Sequence, residues 1–314
     1  VQSSASETRL RPVYPASERV KTWQIERTVR SVLPAAMKLI EDHLPDDYRT
    51  SRSLPKLAEA YRMLHAPADE TEVREGRRRL AFDELLLLQL AVCMRRAARD
   101  AHERALPLEW STDLDQRIRA RFPFTLTESQ DDVVRTIASD LQHDRPANRL
   151  VQGDVGSGKT VVAAYAMLQA AASGHQSVLL APTEILAEQH HASLTRMLSE
   201  SKVKLALLTG SLAEPERTAI ERKLASGEID IAIGTHAVLT DRVKFKSLAV
   251  AVIDEQHRFG VEQRAKIRAK SAASDSSMWP HVIVMTATPI PRTLAMTLFG
   301  DLDVCSIRGL PPRR

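Results

Sequence analysis

The sequence predicts an α/β domain, in which helices cover a parallel sheet, preceded by an all-helical region. Beyond residue 122, short apolar runs alternate with segments of helical length, which is the pattern of a parallel sheet with helices on both faces. The run at residues 248–253 is almost continuously apolar, as expected for a strand buried on both sides. Residues 21–121 have helical periodicity without this alternation, so helices alone are expected there.

Short apolar runs are the predicted strands of the α/β domain. They lie at residues 149–152, 177–181, 204–209, 230–234, 248–253 and 282–286. The segments between them carry Ala, Leu, Glu and Lys and are predicted to be helices. In the all-helical region the strongest helix is expected at residues 77–105, where leucines recur between arginine clusters. These patterns predict a linker or the tail of a preceding domain at 1–20, a helical connector at 21–121 and the α/β domain at 122–314.

Composition limits the classes of function. The 314 residues suffice for about two domains, and 43% hydrophobic content is ordinary for a globular protein. The net charge of +4 and the pI of about 9.1 permit a nucleic-acid partner, whereas 4% aromatic residues argue against a base-stacking platform. Two cysteines suggest neither a disulfide framework nor a zinc site, and no apolar stretch is long enough to span a bilayer. A cytoplasmic protein without a membrane partner is therefore expected.

A glycine-rich motif directly follows the first predicted strand. Residues 153–160 read GDVGSGKT, which matches the phosphate-binding loop (P-loop) pattern G-x-x-x-x-G-K-[ST] between a strand and a helix. Glycines allow successive backbone N–H groups to converge on phosphate oxygens, and the positive end of the following helix faces the same anion. Lys159 is expected to reach the β- and γ-phosphates, and the Thr160 hydroxyl to bind Mg²⁺. The predicted nucleotide-binding residues of the loop are Gly153, Asp154, Val155, Gly156, Ser157, Gly158, Lys159 and Thr160.

Two adjacent carboxylates, Asp254 and Glu255, follow the apolar run at 248–253. Ligands gather at the carboxyl ends of the strands of an open parallel sheet, so both are expected near the P-loop. Asp254 is the predicted magnesium-binding residue, directly or through water. Glu255 is the predicted base for the attacking water, so that Lys159, Asp254 and Glu255 form the predicted catalytic set. Without a P-loop upstream, an acidic pair after a strand would more often be a solvated turn.

Further motifs follow one another in a characteristic order. They are FTLTESQ at residues 124–130, the P-loop, APTEILAEQ at 181–189, GTHAVL at 234–239, DEQH at 254–257 and TATPIPRT at 286–293. This order resembles the first half of superfamily 2 helicases. The segments RLAFDELLLLQL at 79–90, DEQHRFGV at 254–261 and residues 286–303 resemble, more narrowly, the RecG family of bacterial branched-DNA helicases. The resemblance covers residues 10–312 and implies that 122–314 are a first RecA-like motor domain.

The resemblance implies roles for residues outside the P-loop. Gln130 would recognise adenine, which makes ATP the expected nucleotide, with Mg²⁺ as its metal. The residues that would couple the γ-phosphate to movement are Gln256, His257, Thr286, Ala287 and Thr288. The residues expected to touch the DNA backbone are Pro182, Thr183, Thr209, Gly210, Gly234, Thr235 and His236. Hydroxyls and strand-end N–H groups suit phosphate contacts, but the threonines could equally be ordinary turn or helix-cap residues.

The implied function is ATP-dependent translocation on duplex DNA that remodels branched DNA, such as stalled forks and Holliday junctions, in recombination and repair. In the family, a second motor domain supplies an arginine that stabilises the transition state, and a wedge domain splits branched DNA. Neither is expected within this chain, apart from a tail of the wedge domain at 1–20. The chain is therefore expected to be the ATP-binding half of the motor, to act as a monomer and to hydrolyse ATP slowly.

Three alternatives remain open at this point. A transcription–repair coupling translocase would carry an acidic residue in place of Gln256. A module that senses ATP or docks a partner without hydrolysis would not need the base Glu255. A small-molecule kinase with a P-loop would leave the motifs beyond residue 180 unexplained.

Three weaker features complete the pattern. The arginine clusters at 74–79 and 95–99 could contact DNA phosphates, but they more often form the solvated face of an amphipathic helix. His190 and His191 are adjacent on a predicted helix, so their rings diverge and a surface position is expected for both. Cys93 lies in an apolar run and is expected to be buried.

Overall fold

The computed structural model describes residues 10–254, 266–267, 270, 278–288 and 302–309. The chain divides into two compact units, Val1–Ala91 and Val92–Arg314. This division falls upstream of residue 122, where the change in sequence pattern suggested a boundary. The linker, connector and motor limits expected from sequence therefore stay a prediction.

Helices form the first unit. They are α1 (Thr22–Ala36), the 3-10 helix η1 (Met37–Leu39), α2 (Asp46–Ser51), α3 (Leu57–His65) and the first part of α4 (Glu70–His102). Helices α3 and α4 approach closely at Gly76, where an added Cβ would lie 3.0 Å from the Ala60 carbonyl oxygen. The predicted strongest helix, at 77–105, is α4, which begins earlier in the chain than expected.

Arg79 of α4 is fully buried in this unit. Its Nη2 donates to Asp42 Oδ1 at 2.8 Å and its Nε donates to Asp83 Oδ2 at 3.3 Å. A buried guanidinium needs such partners, because an unpaired charge in the interior costs several kcal/mol. The expectation that the cluster at 74–79 contacts DNA or lies on a solvated face is therefore wrong for Arg79.

The middle of α4 is exposed and apolar. Leu85, Leu87 and Leu90 are each more than half exposed, and Met94 is 65% exposed. Cys93 is also exposed, so the expectation that it is a buried core residue is wrong. Apolar character alone therefore did not indicate whether this segment is buried or exposed, since consecutive leucines lie on several faces of the helix.

The second unit contains the predicted sheet. Its elements are β1 (Arg104–Ala105), α5 (Thr112–Arg119), α6 (Glu128–Asp140), β2 (Asn148–Gln152), α7 (Lys159–Ala172), β3 (Gln176–Leu180), α8 (Glu184–Met197), β4 (Leu205–Leu208), α9 (Glu214–Ser226), β5 (Ile231–Gly234), the 3-10 helix η2 (His236–Leu239), β6 (Leu248–Asp254), β7 (Met278–Trp279), β8 (His281–Thr286) and β9 (Asp303–Ser306). The main sheet has the order β4-β5-β3-β6-β8-β2-β9, and each pairing in it is parallel.

The fold class predicted from sequence is confirmed. Each of the predicted strands is present as β2, β3, β4, β5, β6 or β8, displaced by no more than a residue or so at its ends. Two features were not expected from the sequence: strand β9, which joins the edge of the sheet beside β2, and the short parallel pair of β1 with β7. Strand β9 is only partly buried and contains Asp303, so it lacks the apolar run that revealed the others.

Apolar side chains alternate between the two faces of the sheet. In β2, Val151 packs on the face covered by α6, α7 and α8, while Leu150 packs on the face covered by α9 and η2. Helix α7 is buried along most of its length, which its run of alanines permits because small side chains allow close packing.

Residues upstream of 122 pack into the same core as the sheet. Leu108 and Ile118 belong to the apolar cluster that includes α7. The buried ring of His281, at the start of β8, joins Leu106 to Ala147: its Nε2 donates to the Leu106 carbonyl at 3.0 Å, and its Nδ1 accepts from the Ala147 N–H at 3.1 Å. These contacts explain why the compact unit begins before the predicted boundary.

Among the described residues, none of the helices combines the length and the apolar character needed to cross a bilayer.

Candidate nucleotide site and strand-end loops

The P-loop connects β2 to α7 at the carboxyl edge of the sheet. Gly158 precedes the first residue of α7 and has a φ of +92°, which favours glycine. A Cβ at Gly158 would also overlap the amide nitrogen of Gln130. The Nζ of Lys159 donates to the carbonyl oxygens of Gly153 at 2.7 Å and Asp154 at 2.9 Å. The loop thus turns into α7 at Gly158, and the cation of Lys159 is held against two backbone carbonyl oxygens of the loop.

The side chain of Gln130 is hydrogen-bonded to the backbone of the P-loop. It lies in the first turn of α6 and is buried, and its Nε2 donates to the Ser157 carbonyl at 2.8 Å. Its Oε1 accepts from the Thr127 N–H at 2.9 Å, completing a capping box at the start of α6. The adenine-recognition role expected for Gln130 stays a prediction, because both ends of its amide are engaged within the protein here.

A surface cavity of about 520 Å³ lies beside Gln130. Its lining residues are Glu128, Ser129, Asp132, Ser306 and Arg308. The backbone N–H of Arg308 donates to Ser129 Oγ at 2.7 Å, which ties the segment after β9 to α6. Strand β9, missed in the sequence analysis, therefore contributes to the surroundings of the P-loop.

The predicted coupling motif adjoins the P-loop directly. The N–H of Gly153 donates to the carbonyl of Thr286 at 3.3 Å, at the end of β8. The Thr286 hydroxyl accepts from the Thr288 N–H at 3.2 Å, so residues 286–288 form a tight turn around Ala287. The other predicted coupling residues, Gln256 and His257, lie outside the described residues, as does the predicted base Glu255.

Asp254 ends the central strand β6 and is 9% exposed. Its Oδ2 accepts a hydrogen bond from Nε2 of His190 at 2.7 Å. The expectation that His190 is a surface feature is therefore wrong: its side chain is 13% exposed and faces the predicted magnesium-binding residue. Asp254 and Thr160 are oxygen donors of the kind that Mg²⁺ prefers. Within the described part of the chain, no cluster of three or more His, Cys, Asp or Glu side chains could hold a metal alone.

The predicted DNA-contact segments follow three strands that are neighbours in the sheet, in the order β4-β5-β3. We call residues 182–184, 209–211 and 234–236 the strand-end loops. Pro182 and Thr183 are partly buried, whereas Gly210 and His236 are exposed. The structure thus brings the predicted residues to one edge of the sheet.

Several of these residues have structural tasks. The Thr183 hydroxyl caps α8 by accepting from the Leu186 N–H at 3.3 Å. Thr209 and Thr235 are each 2% exposed, so their hydroxyls could touch a DNA backbone only after a local rearrangement. Gly234 is packed so tightly that a Cβ would overlap the Leu208 carbonyl oxygen. The DNA-contact role of these residues stays a prediction.

Glu184 is the residue at this edge that the sequence analysis missed. Its Oε1 accepts from the backbone N–H groups of Gly210 at 2.7 Å and Ser211 at 3.2 Å. The hydrogen bond from the Ser211 side chain, together with these N–H groups and nearby His236, lowers the pKa of Glu184. A carboxylate therefore occupies backbone donors in the predicted DNA-contact segments. No sequence signal marked it, since an acidic residue in the first turn of a helix is ordinary.

Comparisons with known proteins show which family the chain resembles. A family model described as DEAD/DEAH box helicase matches residues 127–297, more than half of the chain. The chain is 42% identical over 325 residues to the ATP-dependent DNA helicase RecG of Mycobacterium leprae, covering 100% of this chain and 43% of that protein. It is 42% identical to the RecG of Bacillus subtilis, covering 97% of this chain and 44% of that protein.

A solved structure gives the same relationship in three dimensions. The structure of RecG bound to a three-way DNA junction matches with a TM-score of 0.78 and 34% identity, covering 99% of this chain and 42% of that one. These findings confirm the resemblance to RecG inferred from the motifs. The chain spans less than half the length of the curated relatives it matches.

Proposed function

The chain belongs to the DEAD/DEAH box helicase family, and from this premise we propose that it is the ATP-binding half of a RecG-type DNA motor. The complete protein would use ATP hydrolysis to translocate on duplex DNA and to remodel branched DNA, including stalled forks and Holliday junctions. The observation that carries the proposal is that the predicted nucleotide and DNA sites lie at the same edge of the sheet. The P-loop, Asp254 and the strand-end loops all follow the carboxyl ends of parallel strands, where ligands of such sheets bind.

We assign the nucleotide phosphates to the P-loop. Lys159 would turn from the carbonyl oxygens of Gly153 and Asp154 to the β- and γ-phosphates, and the N-terminal end of α7 faces the same anion. Because Gln130 holds the Ser157 carbonyl, the loop needs little reorganisation when nucleotide enters. The adenine base would lie toward α6, where Gln130 and the cavity lined by Arg308 are found.

We assign the magnesium site to Asp254 and Thr160. Bound there, the ion would neutralise the charge of the phosphate oxygens during hydrolysis. Asp254 presents a carboxylate at the end of a rigid central strand, so its position needs no loop movement. Glu255 would orient and deprotonate the attacking water, and Gln256, His257 and residues 286–288 would connect hydrolysis with movement.

We assign the DNA backbone to the strand-end loops. The groups that suit phosphate oxygens, and carry no base specificity, are the exposed side chain of His236 and the N–H donors of Gly210 and Ser211, which a phosphate would take over from Glu184. The buried hydroxyls of Thr209 and Thr235 would support the loops from within. The complete protein would add a second motor domain and a wedge domain; we expect it to be a cytoplasmic monomer.

The proposal is tested by ATP turnover with and without forked DNA. The assay compares this chain with the complete gene product that contains it, each beside Lys159→Ala and a surface control, Lys204→Ala. We expect fork-stimulated turnover in the complete product alone, abolished by Lys159→Ala and unchanged by Lys204→Ala. This chain should bind nucleotide and turn it over well below about 1 per second, an ordinary enzyme rate.

Two results would contradict the proposal. A complete product that binds ATP and ignores DNA would favour a module that senses ATP or docks a partner. Fork-stimulated turnover above about 1 per second by this chain alone would show that it is more than half of a motor.

A further inference from the structure

The contact between His190 and Asp254 joins two elements far apart in sequence. His190 lies on α8, the helix that follows β3, and Asp254 ends β6, the neighbour of β3 in the sheet. Their side chains meet through Nε2 and Oδ2 at 2.7 Å, and each is 13% exposed. Both side chains are therefore largely shielded from solvent, at the end of β6 where the magnesium site is proposed.

The hydrogen bond gives the two oxygens of the Asp254 carboxylate different surroundings. With Nε2 as the donor, His190 occupies Oδ2 and fixes the rotation of the Asp254 side chain. The second oxygen, Oδ1, is then the one that can face a cation. Carboxylates that bind metals are commonly oriented by such partners, and loss of the partner weakens metal binding by about 10- to 100-fold.

We propose that His190 is a positioning residue for magnesium: it holds Asp254 in the orientation that binds the ion of the Mg²⁺–nucleotide complex. The inference rests on the proposed function, because it takes Asp254 as the magnesium-binding residue. His190 itself touches neither metal nor nucleotide. Its effect is therefore confined to binding that depends on the divalent cation.

The chain provides a matched set of variants. His190→Ala removes the hydrogen bond, whereas His190→Gln keeps an amide donor near the position of Nε2. His191→Ala removes the adjacent imidazole on the same helix, whereas the hydrogen bond to Asp254 comes from His190. Thermal unfolding of all three variants shows whether the fold is intact.

The experiment measures binding of fluorescently labelled ADP to the purified chain, in Mg²⁺ and again in EDTA. We expect His190→Ala to weaken ADP binding about tenfold in Mg²⁺ and by less than twofold in EDTA. His190→Gln should recover most of the loss, and His191→Ala should match the wild type. Mn²⁺ bound in the presence of ADP, counted by electron paramagnetic resonance, should fall in His190→Ala alone.

The outcomes separate the inference from the function on which it rests. Equal losses in Mg²⁺ and EDTA, or no loss in either, would overturn the positioning role while leaving the wild type's dependence on Mg²⁺ intact. A wild type whose ADP affinity is the same in Mg²⁺ and EDTA, and is unchanged by Lys159→Ala, would overturn the proposed function and the inference together.

Discussion

The P-loop and the strand-end loops lie on one edge of the same sheet, yet they hold opposite charges. In the P-loop, the cation of Lys159 rests on backbone carbonyl oxygens. In the strand-end loops, the carboxylate of Glu184 rests on the backbone N–H groups of Gly210 and Ser211. An incoming nucleotide phosphate would gain a cation, whereas an incoming DNA phosphate would have to displace an anion. On the proposed assignments, the P-loop presents a cation to its phosphate ligand, whereas the strand-end loops present an anion to theirs.

The largest effect is expected where the P-loop has the least room. Gly158→Ala would place a Cβ against Gln130 in a backbone of positive φ, which costs about 1–2 kcal/mol before any overlap is counted. We expect about a 100-fold loss of nucleotide affinity, measured by titration with labelled ADP.

Gly174→Ala is the control for this substitution. Gly174 also has a positive φ, of +79°, but an added Cβ would meet no atom within 4 Å. It should therefore lose stability and keep its affinity for ADP. Wild-type affinity in Gly158→Ala would show that the P-loop is less constrained than its packing indicates.

The second prediction concerns the anchoring of the P-loop strand. Burial lowers the pKa of His281 to about 4, and its neutral ring receives the N–H of Ala147, just before β2. The unfolded chain takes up this proton near pH 6.5, so stability is complete above that value and is lost as the pH falls toward 4. We expect a loss of about 2 kcal/mol between pH 7 and pH 5, measured by urea unfolding.

A ring that cannot titrate is the control for this pH dependence. His281→Phe should be less stable at pH 7, because it lacks both hydrogen bonds, but it should change less between pH 7 and pH 5. A small slope should remain, since burial also lowers the pKa of His175 and His191. An unchanged slope would mean that His281 is not the group responsible.

The same two regions differ in how far sequence predicts them. The P-loop is contiguous, so its residues and the strand before it could be identified directly from spacing. The strand-end loops are assembled from three strands, and their key contact joins Glu184 to Gly210 across the intervening chain. His190 was missed for the same reason, since it lies on helix α8 and its partner Asp254 ends strand β6, far along the chain. Local patterns predict local structure, whereas contacts between distant segments depend on packing that spacing does not encode.

The smallest expected effect concerns the carboxylate of Glu184 in the strand-end loops. Glu184 is ionised at neutral pH like any ordinary glutamate, and the hydrogen bonds it accepts lower its pKa further, so its charge opposes a DNA phosphate at Gly210. Glu184→Gln removes that charge, and we expect the complete gene product to bind labelled duplex DNA about threefold more tightly, as measured by fluorescence anisotropy. The effect should shrink at higher salt, because partly exposed charges are screened.

Glu188→Gln, an exposed position on the same helix, separates this local effect from a change in net charge. If both variants tighten binding equally, general electrostatic attraction explains the gain and Glu184 has no special place. If Glu184→Gln weakens binding, the carboxylate orders the loop that DNA uses, and the strand-end loops are prepared for their ligand in the same sense as the P-loop. Only a gain confined to Glu184→Gln preserves the contrast between the P-loop, whose cation favours a phosphate, and the strand-end loops, whose carboxylate opposes one.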